Sequence, residues 1–428
     1  ANNLAFAMIN RRYQPATPTF LNAGRKRRGE FVSCFLLQLT DDMNSIGRTI
    51  NSALQLSKNG GGVGLNLTNL RAAGAPIKGY DGVAAGVVPV MKLFEDAFSY
   101  ANQLGQRQGA GVVYLSLFHP DIMEFLSTKK ENADEKIRVK TLSLGVTVPD
   151  KFYELVKKGE TMYLFEPYFV EKYYGKPFAE VDITAEYDKM VANPEIRKTP
   201  INARELEQEL SKLQQESGYP YIVNVDTVNQ ANPVDGVISM SNLCSEILQV
   251  QTPSVLNDDQ TYKVVGTDVA CNLGSTNVLN MMTSSNEFGT SIEAMVRALT
   301  FISETSNLDT VPTVRKGNDE MHAIGLGAMG LHSFLAQNQI HYDSKEAVEF
   351  TSVYFMLLNY YTLVASNKLA VEKGSSFKNF EKSAYADGSY FDKYLTHDYF
   401  AAVSPKVQEL FKGIAVPTIE DWTALRDT

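Results

Sequence analysis

The chain has 428 residues with 40 Lys and Arg against 49 Asp and Glu, a formal charge of −9, 44% hydrophobic and 21% charged residues. No basic excess is available to replace counterions, which excludes a protein that grips nucleic acid through its backbone. No apolar run reaches the roughly 18 to 20 residues of a membrane helix, so no membrane association is expected. Three cysteines in this length do not make a secreted disulfide framework. There is no C-x-x-C or H-E-x-x-H, and the five histidines (His119, His322, His332, His341, His397) are scattered, so no metal site is expected. The start, "ANNLAFAMINRRYQP", lacks signal-peptide order and an initiator Met. The compartment reads as reducing cytoplasm, with the true N-terminus upstream.

In chain order, "EFVSCFLLQL" (30–39) is a near-continuous apolar run of the kind that forms a strand buried on both faces. Residues 42–58 have helical spacing and end in the glycine turn "KNGGGVGLNLTNL", which leads into a second strand. Further strands are predicted at 141–148, 161–167, 221–225 and 261–273. A helix over 201–215 carries Leu206, Leu210 and Leu213 on one face, with Asn202 as its cap. From about 290 to 375 the pattern is mainly helical. Strand–helix alternation on this scale predicts an α/β architecture with a mostly parallel sheet or barrel. No repeat or linker interrupts it.

Three motifs carry candidate chemistry. "AIGLGAMGL" matches G-x-G-x-x-G at Gly325, Gly327 and Gly330, but "VRKGNDEMHA" before it is no hydrophobic strand. Close backbone packing accounts better for these glycines. "NGGGVGLN" (59–66) lacks a Gly-Lys-Ser/Thr ending, leaving either a tight turn or bare amides that approach a phosphate or sugar. Cys34 and Cys271 lie in apolar strand patterns and fit core positions. Parallel strands neighbouring in a barrel could bring these two thiols together. "SNLCSEI" (241–247) differs. If extended, it sets Asn242, Cys244 and Glu246 on one side, with Leu243 and Ser245 facing away. A carboxylate neighbour raises a thiol's pKa, so one-electron chemistry suits Cys244 better than thiolate attack.

"SNLCSEI" and "VACNLGS", with "ATPTFLNAG", "FVSCF" and "GGGVGLNLTNLRAAGAPIKG" upstream, strongly resemble the large catalytic (alpha) subunit of class I ribonucleotide reductases. "TPTFLNAG" and "GQRQGAG" are most similar to the class Ib branch. The resemblance runs nearly end to end. It implies that Cys244 is a transient thiyl radical taking the 3′ hydrogen of a ribonucleoside diphosphate. Glu246 would accept the 3′-hydroxyl proton, and Asn242 would hold the substrate. Cys34 and Cys271 would be the dithiol that ends as a disulfide. Thr17, Ser33 and Gly62 match substrate-contacting positions, alongside Cys34 and residues 242–246 (Asn242, Leu243, Cys244, Ser245, Glu246). Asp41 and Arg71 match the effector site, where a deoxynucleoside triphosphate or ATP selects the base. "GQRQGAG" (105–111) would relay that choice.

The resemblance further implies a ten-stranded α/β barrel of two five-stranded parallel halves, of which residues 1–428 form one partial catalytic domain, roughly the first two-thirds. The family's N-terminal helical region, phosphate loop, tyrosine pair and C-terminal cysteine tail are absent, so this chain alone is expected to be inactive. The implied partners are a metal-containing, radical-generating small (beta) subunit, a second large subunit in a homodimer, and a thioredoxin- or glutaredoxin-type reductant. No covalently bound cofactor is implied. Two other classes remain as alternatives: an NAD(P)-dependent dehydrogenase through Gly325–Gly330, and a non-catalytic nucleotide-binding regulator.

Overall fold

The computed structural model describes residues 1–26, 29–101, 108–283 and 287–428. Its centre is a six-stranded sheet in the order Val269–Ala270, Cys34–Gln38, Gly62–Asn66, Gly111–Ser116, Ser143–Val148 and Tyr221–Asn224. The last five run parallel and in chain order. Parallel neighbours need crossovers, and the helices Met43–Lys58, Val87–Tyr100, Ile122–Ser127, Asp150–Lys158 and Ala203–Ser217 lie in the intervals. Three strands (62–66, 111–116 and 143–148) are buried at every position, and Gly111–Ser116 is not among those predicted from sequence. Phe35, Leu37, Val63, Leu65, Val113, Leu115 and Leu144 pack on the helical side. Leu36, Val112, Tyr114 and Val223 face a smaller layer with Met240 and Ile247.

The helix predicted over 201–215 forms as Ala203–Ser217. Asn202 accepts hydrogen bonds from the Arg204 and Glu205 amides, and Leu206, Leu210 and Leu213 are buried. The expected 161–167 strand is displaced from the main sheet: Thr161–Phe165 pairs antiparallel with Lys198–Asn202. The single strand expected over 261–273 is divided into Tyr262–Val264, Val269–Ala270 and a start at Leu273, in three different sheets. In the first gap Gly266 packs closely on the 252–253 backbone, since a Cβ there would stand 2.2 Å from the Thr252 carbonyl oxygen.

A second sheet orders Tyr13–Pro15, Leu273–Asn277 and Gly325–Met329, the last two parallel. It adjoins a helical layer in which Phe288–Thr305 packs on the long helix Lys345–Lys373, with Trp422 buried. Gly325 and Gly327 lie inside a strand rather than in a strand-to-helix turn, and Gly330 caps the short helix Leu331–Gln337. A Cβ at Gly325 would meet Leu273 at 2.4 Å, so close packing is the observed role. The architecture is mixed α/β with parallel sheets. Among the described residues the sheets stay separate and no barrel closes, because no strand bridges Tyr221–Asn224 to Gly325–Met329. Among them no helix is long and apolar enough to cross a membrane.

Candidate active site

The site forms where residues 239–247 cross the sheet face opposite the crossover helices. Two glycines make the crossing possible. Gly62 pairs with Cys34 and Gly64 with Leu36. A Cβ at Gly62 would lie 2.9 Å from Leu243 Cδ2, and one at Gly64 would lie 2.8 Å from the Ser241 carbonyl oxygen. Another backbone segment therefore occupies the space that the glycine run leaves bare. Asn66 Nδ2 donates to the Ser239 carbonyl at 2.9 Å and fixes where the crossing begins.

The segment is not extended. The Ser245 amide donates to the Asn242 carbonyl at 3.2 Å, closing a turn, and Ser245 has φ +68°. A left-handed residue breaks the two-residue alternation, so Asn242, Cys244 and Glu246 do not form the expected stripe. Asn242 is fully buried, while Cys244 and Glu246 are exposed beyond it. The Asn242 side chain organises the turn: Oδ1 accepts from the Glu246 and Ile247 amides, both at 3.0 Å. Its Nδ2 donates to Cys34 Sγ at 3.0 Å.

Cys34 opens its strand half-buried, whereas Cys271 is buried. Their segments run antiparallel, correcting the parallel arrangement expected from sequence, and the Cys271 amide donates to the Cys34 carbonyl at 2.8 Å. The sulfurs are within hydrogen-bonding reach. The Cys271 thiol, and then the Asn242 amide, lower the Cys34 pKa against the opposing effect of burial. Burial, reinforced by donation to Cys34, raises Cys271 well above the ordinary thiol range. Glu246 stands close enough to push both thiols up electrostatically, and Cys244 close enough to push up Cys271. Three segments far apart in sequence thus bring Cys34, Cys271, Cys244, Asn242 and Glu246 into one neighbourhood, an arrangement suited to exchange between a dithiol and a disulfide beside a separate third thiol.

Asp268, which the sequence reading missed, clamps the strand pair that carries the two thiols. Its Oδ1 accepts from the Gln38 amide at 2.8 Å and from Gln251 Nε2 at 3.0 Å. Burial pushes its carboxyl up to about 6 from 3.8. A raised folded-state pKa contributes stability that is fully present below pH 3.8 and lost as pH rises through about 6. Asp268→Asn keeps an acceptor and removes the charge. The variant is therefore expected to gain stability relative to wild type between pH 5 and 8, by on the order of 1–3 kcal/mol. Thermal unfolding of the full-length subunit across that range checks this; a wild-type-to-variant difference independent of pH would refute it.

The other sequence candidates spread outward. Thr17 is exposed at the start of the helix Thr17–Asn22, which is tied by Thr19 Oγ1 to the Phe31 carbonyl at 3.0 Å. Ser33 precedes Cys34 and its carbonyl accepts from the Gly62 amide at 2.7 Å. Asp41 and Arg71 do meet: Nε to Oδ2 is 2.6 Å, and the Arg71 amide adds a bond to Oδ1 at 3.2 Å. Burial raises the Asp41 carboxyl more than these bonds lower it. Arg71 also donates Nη1 to the Pro76 carbonyl at 2.6 Å and stacks over Tyr168. Of the expected relay at 105–111, residues 105–107 lie outside the described residues. Tyr114, also missed, donates its hydroxyl to the Asn242 carbonyl at 2.8 Å. A tyrosine inside the buried strand "GVVYLS" was the available signal, since a buried phenol needs a polar partner.

The site sets Cys34 and Cys271 side by side on an α/β sheet, under the turn that carries Cys244. Residues 32–428 match the family model described as "Ribonucleotide reductase, barrel domain", and the chain belongs to that family. It is 54% identical over 422 residues to a Mycoplasma pneumoniae protein named "Ribonucleoside-diphosphate reductase subunit alpha", covering 98% of this chain and 58% of that one. A Bacillus subtilis protein of the same name is 49% identical over 421 residues, covering 98% and 60%. One of that name from Chlamydia pneumoniae is 33% identical over 428 residues, covering 97% of this chain and 39% of its own. The chain thus spans about three-fifths of the length of the first two relatives.

Proposed function

We propose that this chain is the substrate-reducing part of a class I ribonucleoside-diphosphate reductase alpha subunit, of the class Ib branch. The observation that carries the reading is the convergence at Asn242, which shapes the turn bearing Cys244 with one end of its amide and bonds Cys34 with the other. Cys244, as a thiyl radical, takes the 3′ hydrogen and Glu246 accepts the 3′-hydroxyl proton. The 2′-hydroxyl leaves as water. Cys34 and Cys271 supply two electrons and two protons and become a disulfide, so that one ribonucleoside diphosphate and one dithiol give one deoxynucleotide, one disulfide and one water. The lowered Cys34 pKa and its contact with Cys271 support that pairing.

The radical comes from the metal-containing small subunit, and a thioredoxin- or glutaredoxin-type protein restores the dithiol. The large subunit works as a homodimer in the cytoplasm. Asn242, Leu243, Ser245, Gly62, Thr17 and Ser33 hold the substrate around these groups. The effector nucleotide binds at Asp41 and Arg71; Nε and Nη1 of Arg71 hold Asp41 and the Pro76 carbonyl, and among the described residues Nη2 is the edge left for an anionic phosphate. The two sheets, with outer strands Tyr221–Asn224 and Gly325–Met329, form part of a ten-stranded barrel completed elsewhere in the subunit.

The test uses the full-length subunit with its radical-generating partner and no external reductant. After turnover, mass-spectrometric thiol mapping is expected to find Cys34 linked to Cys271 and Cys244 free. A bridge involving Cys244 would overturn the assignment.

A further inference from the structure

We propose that Tyr114 is a positioning residue for Cys244, fixing where that sulfur stands over the sheet; the inference rests on the radical role proposed for Cys244. Tyr114 belongs to the strand Gly111–Ser116 and is fully buried. Its ring lies on the neighbouring strand where Gly145 leaves room, since a Cβ there would stand 2.3 Å from the ring. The hydroxyl therefore projects from a rigid floor. It lies 2.8 Å from the Asn242 carbonyl oxygen and 2.8 Å from Ser245 Oγ.

Donor counting orients the network. A phenol has one hydrogen and the carbonyl can only accept, so Tyr114 donates to Asn242 and Ser245 Oγ donates to the Tyr114 oxygen. These two partners bracket Leu243 and Cys244. Both ends of the turn carrying the sulfur are thus tied to one side chain of the sheet. The tie also offsets a local cost, because Ser245 holds a positive φ without being glycine. Burial keeps the phenol pushed up to about 12, so it stays a donor at working pH. The Asn242 carbonyl has a second donor in the Ser245 amide, so removing the phenol hydroxyl leaves the turn closed but unanchored. A radical step needs its atoms placed to better than about 1 Å, and turnover is what an unanchored turn loses.

The experiment compares wild type, Tyr114→Phe, Ser245→Ala, the double variant and Cys244→Ser in the full-length subunit with its partner. Tyr114→Phe is expected to lower kcat by roughly 10- to 100-fold with KM within about twofold. If Tyr114 acts through Ser245, the double variant is no slower than Tyr114→Phe within about twofold, whereas independent effects multiply. Alkylation of the reduced subunit separates position from folding: a displaced turn changes the labelling rate of Cys244, and of Cys34 through its Asn242 contact, but not that of buried Cys271, whereas a damaged fold changes all three. An unchanged kcat in Tyr114→Phe, beside an inactive Cys244→Ser, overturns this inference alone. Multiplicative losses, or a change shared by all three cysteines, overturn it too. Turnover by Cys244→Ser overturns the radical reading and this inference with it. Should Tyr114→Phe fail to fold, Ser245→Ala carries the test, and normal kcat there is the overturning result.

Discussion

Cys244→Ser in the full-length subunit is expected to abolish deoxynucleotide formation entirely while leaving substrate affinity close to normal. Serine is nearly isosteric with cysteine. Cys244 is exposed on a turn closed by the Ser245 amide on the Asn242 carbonyl and by Asn242 Oδ1 on the Glu246 and Ile247 amides. The substitution therefore leaves the local fold and the thiols beneath it in place. An O–H bond is much stronger than an S–H bond, so a serine hydroxyl cannot be oxidised by the same incoming radical. Loss should be complete rather than graded. Product formation and equilibrium binding of a ribonucleoside diphosphate, measured side by side, check both halves. Residual turnover at even a few per cent of wild type would mean that another group carries the radical.

Cys34→Ser is expected to fail differently. The serine oxygen can still accept from Asn242 Nδ2, now 3.0 Å from the sulfur, so the turn keeps its lower contact. Hydrogen abstraction by Cys244 should proceed. With one of the two reducing sulfurs missing, the activated substrate has no route to two electrons and breaks down, releasing its base. Free base should appear as intact deoxynucleotide disappears. A variant that is silent in both assays would place Cys34 in radical formation or substrate binding instead. Cys271→Ser should share the chemical outcome but also cost stability, because its buried side chain sits where the first sheet ends.

Much of the fold was legible because burial leaves a direct trace in composition. Strands 62–66 and 143–148 are covered on both faces and read as strands for that reason, whereas Gly111–Ser116, equally covered, went unread. The helix over Ala203–Ser217 was legible from its leucine spacing and its Asn202 cap. The 261–273 stretch was not, because its three pieces pair with partners as near as Leu256 and as far as Leu36. In the site, residue types were readable and geometry was not. "SNLCSEI" announces an amide, a thiol and a carboxylate, but the positive φ of Ser245 that removes their alternation is imposed by a turn whose anchors include Tyr114. Asp268 carries no local signal at all: its role comes from Gln38 and Gln251.

Val269–Ala270 belongs to the first sheet and Leu273–Asn277 to the second, so Cys271 and Asn272 are all the chain has for the passage between them. The Cys271 amide is bonded back to the first sheet at Cys34, and the Asn272 carbonyl is bonded forward to the second at Gly325, 2.8 Å in each case. Two residues reach only about 7 Å when fully extended. Surface loops drift in length between related chains because extra residues there bulge into water. This connector has no such freedom: one inserted residue would break a bond to one sheet or the other and carry the sulfur away from its partner. Its length is a quantity evolution can preserve or lose, but cannot tune.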